Sequence, residues 1–328
     1  MTERIGRRAM LRGLAAGAAA SMVPLSAWGS ELGAAPSETA ASAAPGKPFR
    51  FVHLSDIHVQ PELRAAAGMT KCLAAVESLD PKPDLIVTGG DLIMDAFAQD
   101  EARSKMLFEL YKKVLADHTG IPVRQCIGNH DIFGWANKKG VTPAHPQYGK
   151  KMVCEMLELP QTYYAFDAGG WRFYILDDIQ PTEDHRYEAY LDEPQRAWLE
   201  EQLRQKDPAM PAAVVCHIPI LSVTAMDVAS TFRDGVHAVP SALVCRDAHD
   251  LAHLLAKHNV RLALSGHMHM VDRVDYRGVT YICDGAVSGG WWKGEHRGFH
   301  EGFGVIDLAA DGTLSHKYHQ YGWQAVPA

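Results

Sequence analysis

After Phe49 the chain alternates short runs of strand-forming residues with longer helical patterns, and this alternation constrains the fold more than any other feature. The runs FRFVHLSD, DLIVTGGD and VRQCIGNHD are predicted strands, and residues 64–79 and 97–117, which separate them, are predicted helices. Strand, helix and strand in this order is typical of βαβ units, whose strands pair in parallel. The sequence therefore predicts an α/β fold with a largely parallel sheet in this part of the chain.

A hairpin and a second group of strands are predicted in the remainder. The hairpin surrounds Gly169 and Gly170 in TYYAFDAGGWRFYILDD, and helices are predicted over residues 193–206 and 241–258. The further predicted strands are AAVVCHIP, RLALSGHMH, VDRVDY, VTYICDG, GFGVIDL and TLSHKYHQYGW. No linker-like break follows residue 48, so we expect one domain over residues 49–328, with two sheets and helices outside them. A division near residues 180–210 is the alternative.

The first 48 residues are predicted to lie outside this domain. Residues 1–29 combine a basic start, an alanine-rich apolar stretch and a possible cleavage site at Ala27-Trp28-Gly29, as export signals do. The pair Arg7-Arg8 resembles a twin-arginine signal and predicts a periplasmic or secreted protein; a Sec signal or a short membrane anchor is the alternative. Residues 30–48, rich in Ala, Pro and Ser, are a predicted flexible linker.

The charge of the chain limits its partners. The whole sequence carries −7, and residues 1–29 hold four arginines against one glutamate, a net +3, which leaves −10 on the remainder. An acidic protein of this kind is not expected to bind nucleic acid or anionic membranes broadly. No segment after residue 29 approaches membrane-spanning length, so we expect no stable membrane insertion after signal removal. An anionic substrate would need a local positive centre, and bound metal is one way to provide it.

The redox state of the cysteines is left open by the sequence. An even number of cysteines in an exported protein permits disulfides. Three of them lie in apolar strand-like runs, where a small buried thiol is an equally good interpretation. The six cysteines are Cys72, Cys126, Cys154, Cys216, Cys245 and Cys283.

Polar residues of the kinds that bind metals follow five of the predicted strands. The ends of strands are where α/β folds gather their functional sites, because loops converge there on a rigid sheet. Each residue alone has an ordinary structural interpretation, as a cap, a turn residue or a surface imidazole. Nine such residues at strand ends indicate instead that they share one functional site. They are Asp56 and His58, Asp91, Asn129, His130 and Asp131, His217, and His267 and His269.

The series D-x-H, G-D, G-N-H-D, H and G-H-x-H resembles that of the calcineurin-like metallophosphoesterase superfamily. It runs from Asp56 to His269 and, with its flanking strands, covers essentially everything after Phe49. The resemblance implies a four-layer αββα sandwich with two mixed β-sheets. It also implies two divalent or trivalent metal ions, and the mixed nitrogen and oxygen ligands suit Fe, Mn, Zn or Co.

Carried over residue by residue, the resemblance assigns the ligands of each metal. The first metal would be bound by Asp56, His58 and His269. The second would be bound by Asn129, His217 and His267. Asp91 would bridge the two through its carboxylate. The two histidines of GHMH would thus serve different metals, and Gly266 before them is expected to turn the chain tightly out of the strand through backbone angles that other residues avoid.

The chemistry implied by the resemblance is hydrolysis of a phosphoester. Two metals about 4 Å apart would convert a bridging water into hydroxide and hold the phosphoryl oxygens during in-line attack. No protein nucleophile is then required, which agrees with the absence of a convincing Ser or Cys nucleophile motif. By the same resemblance His130 protonates the leaving alkoxide or stabilises charge on the phosphoryl group. Asp131 orients His130 or, alternatively, caps a helix or turn.

Two features distinguish this chain from individual branches of the superfamily. Purple acid phosphatases are similar but place a tyrosine three residues after the bridging Asp, where this chain has Met94, which puts an obligatory Fe(III) site in doubt. The extra basic pair of Ser/Thr protein phosphatases has no evident counterpart in this chain.

Residues 285–304, GAVSGGWWKGEHRGFHEGFG, follow the last motif and are predicted either to overhang the site or to form a packed aromatic corner.

The leading interpretation is therefore a metal-dependent hydrolase of phosphomonoesters or phosphodiesters with a small-molecule substrate. A non-catalytic metal-binding scaffold of the same fold is the alternative, although such proteins usually lack part of the ligand set, which is complete here. Metallo-β-lactamase-like and amidohydrolase-like enzymes begin with a His-x-His motif, whereas this chain begins with Asp-x-His and ends with His-x-His. The sequence predicts neither the substrate nor the oligomeric state.

Overall fold

The computed structural model describes residues 48–229 and 231–325. The helices are α1 (Ala65–Glu77), α2 (Glu101–His118), α3 (Lys150–Met156), α4 (Glu193–Gln205), α5 (Thr224–Ala229) and α6 (Ala248–Lys257). The first strands are β1 (Phe49–Leu54), β2 (Leu85–Thr88), β3 (Val123–Arg124), β4 (Tyr164–Ala168), β5 (Trp171–Ile175), β6 (Ile179–Pro181) and β7 (Tyr187–Ala189). The others are β8 (Ala212–Val215), β9 (Thr231–Arg233), β10 (Val236–Ala238), β11 (Val260–Ser265), β12 (Asp272–Tyr276), β13 (Val279–Cys283), β14 (Gly302–Leu308) and β15 (Leu314–Gln320).

The strands form two large mixed sheets. The first has the order β15-β14-β1-β2-β3, with β1, β2 and β3 parallel and β14 antiparallel to both of its neighbours. The second has the order β12-β13-β11-β8-β5-β4, with a parallel centre from β13 to β5 and an antiparallel strand at each edge. Strands of these parallel centres, such as LIVT in β2, are buried along their whole length, as expected when both faces of a sheet are covered.

Apolar layers on both faces of each sheet give the molecule four layers. Between the sheets, Phe51 of β1 meets Phe173 of β5 edge to face, with ring centroids 5.4 Å apart. On the outer face of the first sheet lie α1, α2 and α3, and on that of the second lie α4 and α6. The predicted αββα sandwich with two mixed sheets is therefore confirmed.

The helices α2 and α4 begin where the sequence places capping carboxylates. Asp100 precedes α2 and accepts a hydrogen bond from the backbone N–H of Arg103 at 2.8 Å. Asp192 precedes α4 and accepts from the N–H of Gln195 at 3.0 Å. Each cap satisfies one of the free N–H groups of a first helical turn. These caps explain why both predicted helices are observed.

Other elements differ from the sequence predictions. The helix predicted over residues 241–258 is observed only from Ala248, because residues 241–247 form turns. The run VRQCIGNHD contributes only Val123 and Arg124 to a strand. The helices α3 and α5 and the hairpins β6–β7 and β9–β10 were not predicted, since elements this short carry little periodicity.

The predictions for residues 1–47, the export signal and most of the linker, lie outside the described residues. All the described residues fall within one compact unit. All six cysteines lie in the described part, and none of them forms a disulfide there. Burial raises the pKa of several of their thiols, including that of Cys126. No helix of residues 48–229 and 231–325 is both long and apolar enough to cross a membrane.

Candidate metal centre

The predicted site residues meet at the carboxyl ends of strands from both sheets. Asp56 and His58 follow β1, and Asp91 follows β2. Asn129 lies beyond β3, in the 3-10 turn that holds His130 and Asp131. From the second sheet, His217 follows β8, and His267 and His269 follow β11.

The first cluster consists of Asp56, His58 and His269, which are all buried. The Nε2 atoms of His58 and His269 are 3.1 Å apart. The Oδ1 atom of Asp56 lies 3.2 Å from His269 Nε2 and 3.9 Å from His58 Nε2. Two imidazole nitrogens and one carboxylate oxygen thus face a common point.

The second cluster consists of Asp91, His217 and His267, with Asn129 beside it. His267 Nδ1 lies 3.2 Å from His217 Nε2. The amide oxygen of Asn129 lies 3.2 Å from the same His217 nitrogen. This cluster also offers a mixture of nitrogen and oxygen donors.

Asp91 connects the two clusters. Its Oδ2 atom lies 3.5 Å from His58 Nε2 in the first cluster and 3.3 Å from His217 Nε2 in the second. The other oxygen, Oδ1, accepts a hydrogen bond from the backbone N–H of His130 at 2.8 Å. One fixed carboxylate therefore faces both clusters with the same oxygen.

Backbone carbonyls orient the imidazoles. His217 Nδ1 is 2.7 Å from Gly89 O, and His269 Nδ1 is 2.5 Å from Gly289 O. His267 has the opposite orientation, with Nε2 2.9 Å from Ala242 O. Because a ring nitrogen that faces a carbonyl must carry the proton, the other nitrogen of each neutral ring has a lone pair that faces its cluster.

The donor set fits cations. In the second cluster His267 Nδ1 and His217 Nε2, which would both be acceptors in the neutral rings, lie 3.2 Å apart, an arrangement that requires a proton or a metal between them. In the first cluster His269 Nε2, also an acceptor in the neutral ring, lies 3.2 Å from the carboxylate oxygen Oδ1 of Asp56, which has the same requirement. Asp56 Oδ1 is buried and has no hydrogen-bond partner among the described residues. Buried carboxylates need compensating positive charge, which two metal ions in these clusters would supply.

The pKa values of these groups reflect a competition between burial, which disfavours charge, and neighbouring groups of opposite charge. Burial lowers the pKa of His58 to about 3 and that of His267 to about 4. Burial also disfavours the charged form of His217, but the carboxylate of Asp91 outweighs it and raises the pKa of His217 to about 10. Burial would raise the pKa of Asp91, but the neighbouring histidines, His217 first, hold it well below its usual value. Each carboxylate is thus held ionised by positive charge beside it.

The backbone of the site adopts conformations that residues other than glycine rarely take. The φ angles of Asp56, His58, Asp91, His267 and His269 are 54°, 46°, 53°, 68° and 55°. In an extended strand the side chains of residues i and i+2 share one face. The left-handed conformation at His267 and His269 departs from that geometry, and their rings contact different clusters.

Gly266 does not have the role expected from the sequence. Its φ is not among the positive φ angles of the chain, so the expectation that it supplies an unusual backbone angle is wrong. A Cβ atom at this position would instead overlap the hydroxyl of Ser55 and the carboxylate of Asp56. Glycine is required here because β11 passes directly against the loop after β1.

His130 lines the open side of the site. Its Nε2 lies 4.0 Å from Asp91 Oδ2, and its Nδ1 lies 3.7 Å from Asp95 Oδ1. Asp131 has different contacts, since its carboxylate accepts hydrogen bonds from the backbone N–H groups of Leu92, Ile93 and Gly128. These contacts favour the interpretation of Asp131 as a turn cap. The carboxylate that lies beside the His130 ring is that of Asp95.

The two tryptophans of residues 285–304 have different environments. Trp291 lies over the His269 ring, with centroids 4.4 Å apart, and lines the cavity above the clusters. Trp292 is buried in the core, packs against Gly68 and donates from its indole N–H to His58 O at 2.9 Å. The segment thus combines both predicted roles, with one tryptophan at the site and one in a packed corner.

A cavity of about 280 Å³ opens above the two clusters. Five of the predicted site residues line it, namely His58, Asp91, His130, His267 and His269. Met94 is not among its lining residues and packs against the core of the first sheet instead. The cavity gives a small molecule access to the site where the clusters meet.

The comparison with protein families agrees with this geometry. The model of the family described as calcineurin-like phosphoesterase matches residues 49–271, which include every predicted site residue. The chain belongs to this family. Calcineurin-like phosphoesterases use a dinuclear metal centre, and the two clusters are able to hold metal ions. No curated protein matches the chain.

Two solved structures are similar to the chain. The chain is similar to GAP50, the anchor in the inner membrane complex of Plasmodium, with 18% identity and a TM-score of 0.51 over 84% of this chain and 85% of that chain. It is also similar to the phosphopantetheinyl hydrolase PptH from Mycobacterium tuberculosis, with 16% identity and a TM-score of 0.43 over 74% and 91% of the chains. Identities this low concern the fold alone.

Several functional neighbours were not predicted from the sequence. Asp95 stands four residues after Asp91, close enough in the chain to have been considered as a partner of His130. Tyr187 lies on β7, in a hairpin that was itself not predicted. The carbonyls of Gly89, Ala242 and Gly289 carry no sequence signal, because every residue has the same acceptor group.

Proposed function

We propose that the protein is a hydrolase of phosphomonoesters or phosphodiesters that holds two metal ions, one in each cluster. The observation that carries the proposal is the position of Asp91, whose Oδ2 atom lies 3.5 Å from His58 Nε2 and 3.3 Å from His217 Nε2 beneath an open cavity. A carboxylate so placed is suited to bridging two cations. The ligand chemistry suits Fe, Mn, Zn or Co.

The residues of the chain would divide the work of the reaction. When bound, two metal ions supply Lewis acidity to the phosphoryl oxygens and lower the pKa of water. Asp56, His58 and His269 would hold one ion, and Asp91, Asn129, His217 and His267 would complete the site. His130, on the cavity wall, donates a proton to the leaving oxygen, and Asp95 orients its ring from the opposite side.

Turnover by metal-loaded protein tests this proposal. Protein reconstituted with each of the four metals is assayed on p-nitrophenyl phosphate and bis(p-nitrophenyl) phosphate, with metal content measured in parallel. We expect hydrolysis that is lost on chelation and restored by metal. We expect His130→Ala to lose about 10²- to 10⁴-fold in kcat while keeping its metal. Metal-replete wild-type protein that is inert on a broad phosphoester panel would overturn the proposal.

The same assay separates the enzyme from a non-catalytic scaffold. A scaffold would bind metal but turn over none of the esters. No observation favours it, because the ligand set is complete and His130 lines the cavity with Asp95 beside it. The mono- or diester preference follows from the ratio of kcat/KM for the two substrates.

We also propose that the chain is exported through the twin-arginine pathway. Support comes from the sequence of residues 1–29, in which Arg7-Arg8 precedes an alanine-rich apolar stretch. Fractionation of cells that express the full chain tests this. We expect processed protein in the periplasm, and its loss when both arginines are replaced by lysine. Periplasmic protein that survives the double replacement would exclude this route.

A further inference from the structure

We propose that the cavity binds the organic group of its substrate on an apolar wall, so that the preferred substrates are phosphoesters of alkyl or aryl alcohols rather than of sugars or nucleosides. This inference rests on the proposed function, since it assumes that the phosphoryl group lies at the two clusters. It adds the chemical class of the group attached to the phosphate.

One side of the cavity is aliphatic. Val228 from α5, Leu243 from the loop before α6 and Met268 from the GHMH segment all line it. Met268 is buried, and Val228 and Leu243 pack against a small cluster formed by Ala225, Met268, Met270 and Cys283. The wall is thus backed by packed side chains and is in place before a ligand binds.

Aromatic rings complete this surface beside the reacting position. Trp291 lies over His269, with centroids 4.4 Å apart, and Tyr187 meets His267 edge to face at 6.1 Å. The two histidines belong to different clusters, so an aromatic ring borders each cluster where it opens into the cavity. A flat or extended apolar group attached to the phosphate would therefore contact apolar and aromatic side chains where it extends away from the phosphoryl site.

The same lining offers little to a hydroxyl-rich group. Among the described residues that line this cavity, Asp91 is the only carboxylate, and there is no Ser, Thr, Asn or Gln side chain. Apart from Tyr187, the polar side chains of the lining are Asp91, Arg297 and the histidines, which lie at the clusters or beside Trp291 and not on the aliphatic side. The hydroxyls of a sugar on the aliphatic side would lose water without gaining protein partners, and this loss disfavours binding.

The guanidinium of Arg297, beside His296 in the lining, is placed for the phosphate. His296 packs edge to face with Trp291, with centroids 5.4 Å apart, and Arg297 follows it at the cavity. Arg297 has no carboxylate within ion-pair distance among residues 48–229 and 231–325. A free guanidinium here attracts the anionic end of the substrate, which leaves the aliphatic side for the organic group.

Binding of alkylphosphonates tests the inference without requiring turnover. Metal-loaded protein is titrated calorimetrically with methyl-, propyl- and butylphosphonate and with 2,3-dihydroxypropylphosphonate, which matches the propyl compound in chain length but carries two hydroxyls. We expect affinity to rise about two- to fourfold for each added methylene. We expect the dihydroxy compound to bind at least about tenfold more weakly than propylphosphonate.

Two variants of α5 provide a matched pair. Val228 lines this cavity, whereas Met226, two residues earlier, is 47% exposed and lines a separate groove. Val228→Asn is expected to remove most of the chain-length dependence, and Met226→Asn to leave it unchanged. Thermal melting of both variants shows that they are folded. Affinity that is independent of chain length in the wild type, or dependence that survives in Val228→Asn, overturns the inference.

The two proposals fail in different ways. If alkylphosphonates bind with the expected dependence but no ester is hydrolysed, the apolar wall stands and the hydrolase proposal falls. The opposite outcome has esters hydrolysed, equal kcat/KM for glycerol phosphate and butyl phosphate, and phosphonate affinity independent of chain length. It would support the hydrolase proposal and contradict the apolar wall.

Discussion

At the scale of single residues, the two histidines of GHMH belong to different clusters although only Met268 separates them in the sequence. His269 faces Asp56 and His58, whereas His267 faces His217 and Asp91. Their ring tautomers also differ, because His269 approaches a carbonyl through Nδ1 and His267 through Nε2. Each histidine is therefore specific for one cluster and cannot replace the other.

This separation predicts distinct metal losses. We expect His269→Ala to lose the metal of the Asp56 cluster first and His267→Ala to lose that of the His217 cluster first. Each variant should retain about one metal per chain when the wild type holds two. Elemental analysis after gel filtration measures this. Retention of both metals by either variant would contradict the assignment.

Asp95 gives a second prediction at this scale. Its Oδ1 atom accepts hydrogen bonds from the backbone N–H groups of Phe97 and Ala98, at 2.9 and 3.3 Å, and lies 3.7 Å from His130 Nδ1. Asp95→Asn keeps an acceptor oxygen for the backbone but removes the charge beside His130. We expect kcat to fall about tenfold, with metal content and KM nearly unchanged. An unchanged kcat would show that Asp95 serves only its own turn.

The residue types of the site could be predicted from the sequence, but their contacts could not. Asp56, His58 and His269 were grouped by resemblance and lie together in the structure. The role of Gly266 was not predictable, because it depends on Ser55 and Asp56, which are distant in the chain. The roles of Asp131 and Asp95 likewise differ only through contacts that the sequence does not show. Asp131 accepts from the backbone N–H groups of Leu92, Ile93 and Gly128, whereas Asp95 Oδ1 lies 3.7 Å from His130 Nδ1.

At the scale of elements, a buried network joins β1, the end of β13 and β15. Asp284 is fully buried and lies 2.8 Å from His53 Nδ1 and 2.7 Å from His316 Nε2. Burial would raise the pKa of Asp284, but His316 and then His53 lower it to about 2 from its usual 3.8. The stability contributed by ionised Asp284 is therefore complete above the unfolded pKa of 3.8 and is lost as the pH falls through the folded value of about 2.

Replacing this carboxylate should weaken the first sheet. Asp284→Asn offers one acceptor oxygen where two histidines need acceptors, so we expect the free energy of unfolding to fall by about 3 kcal/mol near neutral pH. Asp275→Asn on β12 is the control, because Asp275 is 60% exposed in its ion pair with Arg273 and should cost less than about 1 kcal/mol. Urea unfolding measures both. Equal costs would show that the network adds nothing beyond a surface pair.

Element length decided which elements the sequence could predict. The helix α4 has a capping Asp192 and thirteen residues of helical pattern, and it was predicted nearly to its ends. The helix α5 has six residues and the strands β9 and β10 have three each, too few to show a period. Of these short elements, α5 contributes Val228 to the cavity wall, so the wall proposed to contact the organic group includes an element that the sequence did not predict.

At the scale of the whole molecule, the clusters draw their ligands from both sheets. Asp56, His58 and Asp91 follow strands of the first sheet, and His217 and His269 follow strands of the second. Bound metal would therefore cross-link the two halves of the sandwich, in addition to the apolar layer between them. Without it, the two buried carboxylates depend on protonated histidines for compensation.

Metal removal should accordingly lower the stability of the entire domain. At a free metal concentration about one hundred times Kd, each bound ion adds about 2.7 kcal/mol, which raises the melting temperature by about 5–10 °C per ion over that of chelated protein. Differential scanning calorimetry with and without chelator measures the difference. His217→Ala should reduce it, while Asp275→Asn should leave it intact. Equal melting temperatures for loaded and chelated protein would contradict a site shared by both sheets.

The left-handed backbone at five of the ligand positions has a consequence for how such a chain can change over time. A residue with a side chain costs about 1 kcal/mol or more in this conformation, whereas glycine adopts it freely. A descendant released from metal chemistry would become more stable by drifting to glycine at Asp56, His58, Asp91, His267 or His269. All five carry metal-binding side chains instead, so this chain bears the conformational cost at the positions that form the two clusters.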